Sequence, residues 1–298
     1  MVGEQGPSRR APAELSTSGL RAGYDAAADG WDSGPGPLYE PLARALVTAA
    51  RVPLAGRVVL DLGAGTGVAG RAALAAGARR VVGADLSEAM LRHHVLEDGS
   101  ASFPVAADAV ALPFRDGCFD LVLAAFCLNH LSRLEAGLAE MRRVGAAIAA
   151  STFASGWTHP AKEAVDGAAR TFGYRPPSWY TALAPGERAA DPQLLAACAV
   201  AAGFTHVQTC TVAVPTPIAT PARLAAWRLG MAQYAPFLHA LDAPSQAAVR
   251  HAAEQAVAAS GATGPLTVEM TVLTAHRDQR FACSFGRYTS QNGRQGRR

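Results

Sequence analysis

Short apolar runs and longer amphipathic segments alternate along the chain from Gly56 onward. The segments between the apolar runs, GVAGRAALAAGARR closing near Gly77, SEAMLRHHVLE and SRLEAGLAEMRRV, predict helices. Strands that alternate with helices at this spacing are typical of a parallel sheet with helices on both faces. The apolar runs predict buried strands at residues 57–63, 81–85, 102–107, 118–128 and 146–153.

Capping residues mark where several helices begin. Ser87 is expected to cap SEAMLRHHVLE, and Glu88 lies in the first turn, where the helix dipole favours an acid. Asp191 is followed by a proline, and this pair is typical of a helix cap and the first helical position. It predicts a further helix over residues 191–203. Two more apolar runs predict a sixth and a seventh strand, at residues 204–214 and 266–277.

Two stretches do not fit the alternation of strands and helices. Residues 156–180 carry aromatic residues and prolines, whereas residues 215–261 predict two helices that start at Thr220 and Asp242. We interpret both as covers over the mouth of the sheet, within one domain at residues 20–277. The predicted core comprises 56–155 and 190–277, the helical cover 20–50, 156–189 and 215–262, and the polar tails, expected to be mobile, 1–19 and 278–298.

Composition limits the function classes. Half of the 298 residues are hydrophobic, 17% are charged, and the formal net charge is +3. No basic stripe with interleaved aromatic residues is present, so nucleic acid is not expected as a partner. No apolar run is long enough for a bilayer and no signal peptide is recognisable, which predicts a cytoplasmic protein. The five cysteines form no CxxC pair and predict neither disulfides nor a metal site: Cys118, Cys127, Cys198, Cys210 and Cys283.

A glycine-rich run, VVLDLGAGTGVAG, follows the first predicted strand and admits two interpretations. Gly65, Gly67 and Gly70 fit the dinucleotide fingerprint G-x-G-x-x-G, with Asp85 standing 20 residues after Gly65. The same run fits D-x-G-x-G-x-G, which begins at Asp61. The two interpretations therefore differ in the ligand that Asp61 would face.

An acid at Asp61 favours a cationic ligand. A pyrophosphate over this loop would face the carboxylate at low dielectric, which is repulsive by several kcal/mol. S-adenosylmethionine instead offers an ammonium and a sulfonium, and Asp61 could accept from the ammonium or hold the amides of the loop. Asp85 could then accept the two ribose hydroxyls, and Asp108, after the third strand, could accept from the adenine amino group. The alternative for each acid is a plain capping role.

Residues Val58 to Leu131 resemble a class I S-adenosylmethionine-dependent methyltransferase. VLDLGAGTG, VGADLSEAML, AADAVALPF and FDLVLAAFCLNHL stand in the family's order and spacing. The chain is most similar to the small-molecule group of ubiquinone, menaquinone and natural-product methyltransferases. YDAAADGWD, at residues 24–32, resembles the helix that closes over the cofactor in that group. The resemblance covers residues 24–155 well and 190–277 loosely.

The resemblance implies the fold and the cofactor. The expected fold is a seven-stranded, mostly parallel, doubly wound sheet of the Rossmann-like methyltransferase type with a helical cover. The expected cofactor is S-adenosyl-L-methionine, and no metal is expected. The residues predicted to bind the cofactor are Tyr24, Asp61, Gly63, Ala64, Gly65, Gly67, Asp85, Leu86, Met90, Asp108, Ala109 and Phe126.

The sequence departs from the family pattern at two places, the turn before the fifth strand and the end of the fourth strand. The Leu-x-Pro-Gly-Gly turn before the fifth strand is shortened to MRRVGAAIAAS, so the connection must be built differently. The fourth strand lacks the Asn/Asp-Pro-Pro-aromatic signature of enzymes that methylate bases or glutamine amides. The missing signature makes a DNA, RNA or glutamine substrate less expected.

Methyl transfer from a sulfonium needs no fixed catalytic constellation, because the donor is already activated and the enzyme mainly supplies position and a dry site. His130, just after the fourth strand, is a candidate general base if the acceptor is a hydroxyl, and otherwise a wall residue. His93 and His94 are expected on an outer helix, facing different directions. Candidate substrate contacts, each with ordinary packing as the alternative, are Trp31, Asn129, Trp157, His159, Tyr180, Trp227, Met231 and Tyr234.

The sequence thus predicts a bacterial enzyme, a monomer or homodimer, that methylates a small apolar or aromatic metabolite of quinone or natural-product type. Three alternatives remain. A related enzyme could bind the same cofactor and catalyse cyclisation. An NAD-dependent oxidoreductase would need a Tyr-x-x-x-Lys motif, and Lys162 is the single lysine of the chain. A cofactor-binding regulator or inactive partner subunit would keep the glycine loop without the activity.

Overall fold

The computed structural model describes residues 17–94, 102–182, 187–262 and 264–277. Within these residues a seven-stranded sheet has the strand order β3-β2-β1-β4-β5-β7-β6. The strands are β1 (Val58–Leu62), β2 (Arg80–Asp85), β3 (Ser102–Ala106), β4 (Leu121–Ala125), β5 (Ala147–Phe153), β6 (Thr205–Pro215) and β7 (Thr267–His276).

Helices cover both faces of this sheet, and the predicted caps are confirmed. The Ser87 hydroxyl accepts from the Met90 amide, and the Asp191 carboxylate accepts from the Gln193 and Leu194 amides. The helices are α1 (Thr17–Ala27), α2 (Gly36–Ala49), α3 (Val68–Ala75), α4 (Glu88–Arg92), α5 (Leu134–Val144), α6 (Pro160–Thr171), α7 (Ser178–Ala182), α8 (Glu187–Ala190), α9 (Pro192–Ala201), α10 (Pro221–Leu229), α11 (Ala235–His239) and α12 (Ala243–Ala259).

The predicted fold class is confirmed. All neighbouring strands pair in parallel except β7, which runs antiparallel to both β5 and β6. Asp61 lies beside Gly83 in the β1–β2 register, and Asp85 lies beside Ala106 in the β2–β3 register. The carboxyl ends of β1, β2 and β3 therefore meet at one edge of the sheet, where ligands bind in open α/β folds.

Several predicted boundaries needed correction. The fourth strand ends at Ala125 rather than 128, because Phe126 takes a positive φ of 54° and a 3-10 turn follows. A short helix, α11, stands between the two helices predicted within 215–261, and residues 17–19 of the predicted tail belong to α1. The remaining tail residues, 1–16 and 278–298, lie outside the described residues.

The shortened turn before β5 consists of two residues, Gly145 and Ala146. The Gly145 amide donates to the Met141 carbonyl, and the Ala146 amide donates to the Phe119 carbonyl. A methyl group on Gly145 would lie 2.6 Å from Cγ2 of Val122. The end of α5 thus lies close to β4, and a two-residue connection takes the place of the longer turn of the family.

Hydrophobic cores fill both faces of the sheet. Leucines of α2 pack with α6, α10 and α12 on one face, whereas side chains of α5 and α9 pack on the other. Beneath the cover, Arg228 of α10 is 5% exposed. Its guanidinium donates to both oxygens of Asp166 at 2.8 and 2.9 Å, and the Tyr234 hydroxyl donates to the same carboxylate. Burial alone would raise the pKa of Asp166, but the Arg228 guanidinium holds it below its usual value.

Asp166→Ala should destabilise the protein by about 3–5 kcal/mol, because it leaves the buried Arg228 guanidinium without its carboxylate. Glu88→Gln is the matched control, since it breaks the exposed Arg21–Glu88 pair at 3.1 Å and should cost less than about 1 kcal/mol. Urea unfolding of both variants measures the difference. Equal, small losses would show that the Arg228–Asp166 pair contributes little to the cover.

Candidate functional site

A cavity of about 780 Å³ opens at the carboxyl edge of the sheet. Its volume lies within the roughly 300–1,000 Å³ of small-molecule and cofactor sites. Its wall combines the ends of β1, β2 and β4, the loop after β1, and side chains of α1 and α2. A position at this edge follows from the parallel strand order, because the loops after neighbouring parallel strands lie side by side.

The loop between β1 and α3 forms one wall of the cavity. Gly63 and Gly65 have φ values of 70° and 53°, a region that favours glycine. The Gly65 amide donates to Oδ2 of Asp85 at 2.8 Å, which ties this loop to the end of β2. A methyl group on Gly63 would lie 2.8 Å from Cβ of Cys127, so a larger residue at position 63 would meet the loop after β4.

Asp61 is a buried carboxylate on the cavity wall, 1% exposed. Its Oδ2 accepts from the Gly70 amide at 2.7 Å. Its Oδ1 is buried without a hydrogen-bond partner among the described residues. Burial raises the pKa of Asp61 to about 7, although the Gly70 amide opposes the shift. One oxygen of Asp61 thus holds the first turn of α3, and the other has no partner among the described residues.

Asp85 and Asp108 continue the row of acids along the cavity. Asp85 accepts from the Gly65 amide through Oδ2 and from the Ser87 amide through Oδ1. Burial raises the pKa of Asp85, against the effect of these amides. Asp108 is exposed and accepts from the Val110 amide at 3.0 Å. Because a carboxylate has about four acceptor positions, each acid keeps some for a ligand.

The cavity lining contains every predicted cofactor residue except Gly67. This glycine caps the N-terminus of α3 with a φ of 88°. A methyl group added to it would meet His94 and would not face the cavity. The prediction that His94 lies on the outer face of a helix is wrong. Helix α4 ends at Arg92, and His94 turns inward and is 8% exposed, whereas His93 reaches Asp29 at 2.9 Å.

Helix α1 and the turn after it close one side of the cavity through polar contacts. The Ser87 hydroxyl donates to Asp25 at 2.6 Å, and the Thr66 hydroxyl donates to Asp32 at 2.7 Å. These bonds join the start of α4 and the glycine loop to the segment over residues 24–32. The closing role expected for YDAAADGWD is therefore compatible with its position.

Tyr24 of this segment contacts His130 across the cavity. The Tyr24 oxygen lies 2.9 Å from Nε2 of His130, and Asn129 lies 3.4 Å from the same nitrogen. Burial raises the pKa of Tyr24 and lowers that of His130 to about 4. Both groups are therefore neutral near pH 7. In the tautomer of His130 that carries the ring proton on Nδ1, Tyr24 donates to Nε2. Nδ1 of His130 and Oδ1 of Asn129 are buried without described partners.

Aromatic side chains form another part of the cavity wall. Trp31 stacks on Tyr39 at 5.7 Å, and Tyr39 meets Phe126 edge-on at 5.3 Å. All three residues line the cavity. Tyr39 is absent from the predicted site because nothing in GPLYEPLARALVTA distinguishes it from an ordinary amphipathic helix residue. Cys127 is likewise a lining residue without a sequence signal, and burial raises the pKa of its thiol to about 12.

The structure keeps two of the eight predicted substrate contacts, Trp31 and Asn129, in the cavity lining. The remaining six lie under or within the helical cover. His159 caps α6, Tyr180 accepts from Arg228, and Tyr234 is bonded to Asp166. Apolar spacing indicates burial but not which core receives the side chain. The substrate contacts of these six residues stay predictions, because none of them is in the cavity lining: Trp157, His159, Tyr180, Trp227, Met231 and Tyr234.

Two general properties bear on the site. Within residues 17–94, 102–182, 187–262 and 264–277, no group of three or more histidines, cysteines, aspartates or glutamates could hold a metal ion. Over the same ranges, no helix has both the length and the apolar character needed to cross a membrane.

Comparisons with known proteins agree with this geometry. Residues 59–146 match the family described as Methyltransferase domain. A demethylmenaquinone methyltransferase of Clavibacter sepedonicus is 44% identical over 108 residues, 35% of this chain and 43% of that protein. A ubiquinone/menaquinone biosynthesis C-methyltransferase of Burkholderia mallei is 40% identical over 119 residues, 37% of this chain and 49% of that protein. The chain spans under half the length of these two curated relatives.

A solved structure shares the fold. Phosphoethanolamine N-methyltransferase 2 of Haemonchus contortus, in complex with S-adenosyl-L-methionine, superposes with a TM-score of 0.50 at 16% identity, over 90% of this chain and 58% of that one. The family match over residues 59–146, the two relatives and the fold all agree with the resemblance to class I S-adenosylmethionine-dependent methyltransferases. The buried oxygen of Asp61 that has no partner among the described residues fits the cationic end of S-adenosylmethionine, the cofactor expected from the sequence.

The affinity for S-adenosylmethionine should increase with pH through the titration of Asp61. With a pKa of about 7, this carboxyl is mostly neutral at pH 6 and mostly ionised at pH 7.5, so the dissociation constant should fall by about tenfold over that range. Asp61→Asn keeps an acceptor for the Gly70 amide but does not ionise. Calorimetric titration should therefore give weaker, pH-independent binding for this variant. The same pH dependence in both proteins would assign it to another group.

Proposed function

We propose that this methyltransferase domain transfers the methyl group of S-adenosylmethionine to a small apolar or aromatic acceptor of quinone or natural-product type. In this proposal the ammonium of the cofactor donates to Asp61, and the ribose hydroxyls donate to Asp85. The adenine lies near Asp108 and Ala109. Three acids on three neighbouring strands support this orientation, because they match the polar groups of a cationic nucleoside in order.

The observation that carries the proposed acceptor is the shared cavity. The row of acids and the wall formed by Trp31, Tyr39 and Phe126 line one continuous space. A flat apolar acceptor gains both burial and stacking on such a wall. The names of the two curated relatives refer to quinone biosynthesis, which is compatible with this class of acceptor.

The proposed chemistry is an in-line displacement. The acceptor atom forms a bond to the methyl carbon while the electron pair of the carbon–sulfur bond returns to sulfur, and the acceptor then releases its proton. The protein aligns the two reactants and excludes water, which lowers the barrier without a covalent step. Tyr24, which closes over the cavity through His130, would serve the second purpose.

His130 is proposed to orient the acceptor rather than to act as a strong base. With the ring proton on Nδ1, its Nε2 accepts from Tyr24, and a pKa of about 4 makes the ring a weak base near neutral pH. The Nδ1 hydrogen and Oδ1 of Asn129 offer one donor and one acceptor to a bound hydroxyl or carbonyl. We therefore favour the wall role over the general-base role.

Binding and turnover test the proposed function together. We expect micromolar binding of S-adenosylmethionine, about −8 kcal/mol, negligible binding of NAD, and incorporation of labelled methyl into naphthoquinol or phenol acceptors. Asp85→Ala should weaken cofactor binding by about tenfold to a hundredfold, because it removes charged hydrogen bonds. Glu163→Gln, which removes an exposed acid on α6, is the control.

Three outcomes contradict this proposal. Tighter binding of NAD than of S-adenosylmethionine would indicate an oxidoreductase. Cofactor binding with acceptor conversion but no methyl incorporation would indicate a non-methylating reaction such as cyclisation. Cofactor binding with no conversion of any apolar or aromatic acceptor would indicate a binding subunit.

His130→Gln should retain single-turnover methyl transfer to within about tenfold, because glutamine can replace one hydrogen bond at the wall. His130→Ala should lose more. Both variants should keep the pH profile of the wild-type protein above pH 6, since the ring does not titrate there. A loss of about a hundredfold or more in both variants, with a neutral-pH inflection removed, would instead identify His130 as the general base.

A further inference from the structure

His94 lies behind the glycine loop, on the side away from the cavity. It follows α4 and is 8% exposed. A methyl group added at Gly67 would lie 2.8 Å from its Nδ1, and one added at Gly83 would lie 2.5 Å from its Cε1. The imidazole therefore fills the space between the loop that precedes α3 and the middle of β2.

His94 also bonds to the loop. Burial lowers its pKa, and a backbone hydrogen bond with Gly65 acts in the opposite direction. A backbone group that favours the charged ring is a carbonyl that accepts from a ring N–H. The amide of the same residue donates to Asp85. Gly65 is thus bonded on one side to the row of acids and on the other side to His94.

We propose that His94 is a positioning residue that holds the glycine loop in the shape required for cofactor binding. The inference rests on the proposed function, since it assigns a determinant of affinity to the same site. Neither His94 nor Gly83 lines the cavity. The contact of His94 with the loop at residues 63–67 is therefore the route by which this side chain acts on the cofactor.

Gly83 provides a way to displace His94 without changing it. Its φ lies outside the region that favours glycine, and the three atoms nearest to an added methyl group all belong to His94. Gly83→Ala should therefore push the imidazole away from the loop. In the double variant Gly83→Ala with His94→Ala, the added methyl group meets no imidazole.

The test compares cofactor binding across five variants. His94→Leu fills the space without a donor and should raise the dissociation constant for S-adenosylmethionine by about tenfold, the effect of one hydrogen bond. His94→Gln keeps an N–H donor and should bind more tightly than His94→Leu. Gly83→Ala should resemble His94→Ala, and the double variant should be no worse than His94→Ala alone, because both changes act on one contact.

Two further readouts separate positioning from a general loss of structure. At saturating cofactor the turnover number should stay within about twofold of wild type, because the ligand restores the loop. Gly167→Ala, on an exposed face of α6 with no atom within 4 Å, is the control and should leave binding unchanged. A wild-type dissociation constant in both His94→Leu and Gly83→Ala would overturn the proposal.

Hydrogen exchange distinguishes failure of this inference from failure of the proposed function. Without any ligand, the amides of residues 63–70 should exchange faster in His94→Leu than in wild type, since the loop loses its rear support. If wild type does not bind S-adenosylmethionine but exchange still increases, the proposed function is wrong and the positioning of the loop stands. Unchanged exchange in the variant refutes the positioning role whatever ligand the site takes.

Discussion

The hydrogen bond from the Gly65 amide to Asp85 is the interaction on which the site depends, because it joins the loop after β1 to the end of β2. The parallel register makes it geometrically available, since Asp61 faces Gly83 and the two strand ends lie side by side. The glycines then leave the loop without side chains, so the backbone itself forms the wall. A side chain at Gly63 would collide with Cys127. The pairing of β1 with β2, the shape of the glycine loop and the wall of the cavity therefore depend on the same contacts.

The buried carboxylate of Asp61 is costly unless something compensates it. Desolvation raises its pKa to about 7, and the single amide of Gly70 does not offset the burial. Ionised buried groups require a partner, and one oxygen of Asp61 has none in the described protein. A cationic ligand would supply that partner. A buried carboxylate with a perturbed pKa is typical of functional sites.

The site residues on the sheet could be predicted from sequence because strands and tight loops fix their order locally. Asp61, Asp85 and Asp108 each stand at a strand end, and parallel pairing leaves their alignment little freedom. The cover could not be predicted in this way. Trp227 and Tyr234 have helical apolar spacing, which correctly indicates burial, but Tyr234 points to Asp166 instead of the cavity. Tyr39 gives no sequence signal, and only the packing of α2 against Trp31 brings it to the wall.

Access to the cavity depends on how firmly the segment over residues 24–32 is held. The Ser87–Asp25 and Thr66–Asp32 bonds are charge-assisted but partly exposed, and the Arg21–Glu88 pair is exposed. Each such contact contributes modestly to stability, and water can replace it. The core side chains of β1 and β4 are fully buried, so the contacts that hold α1 are weaker than those within these strands. A ligand that contacted both the segment and the glycine loop would favour the closed form.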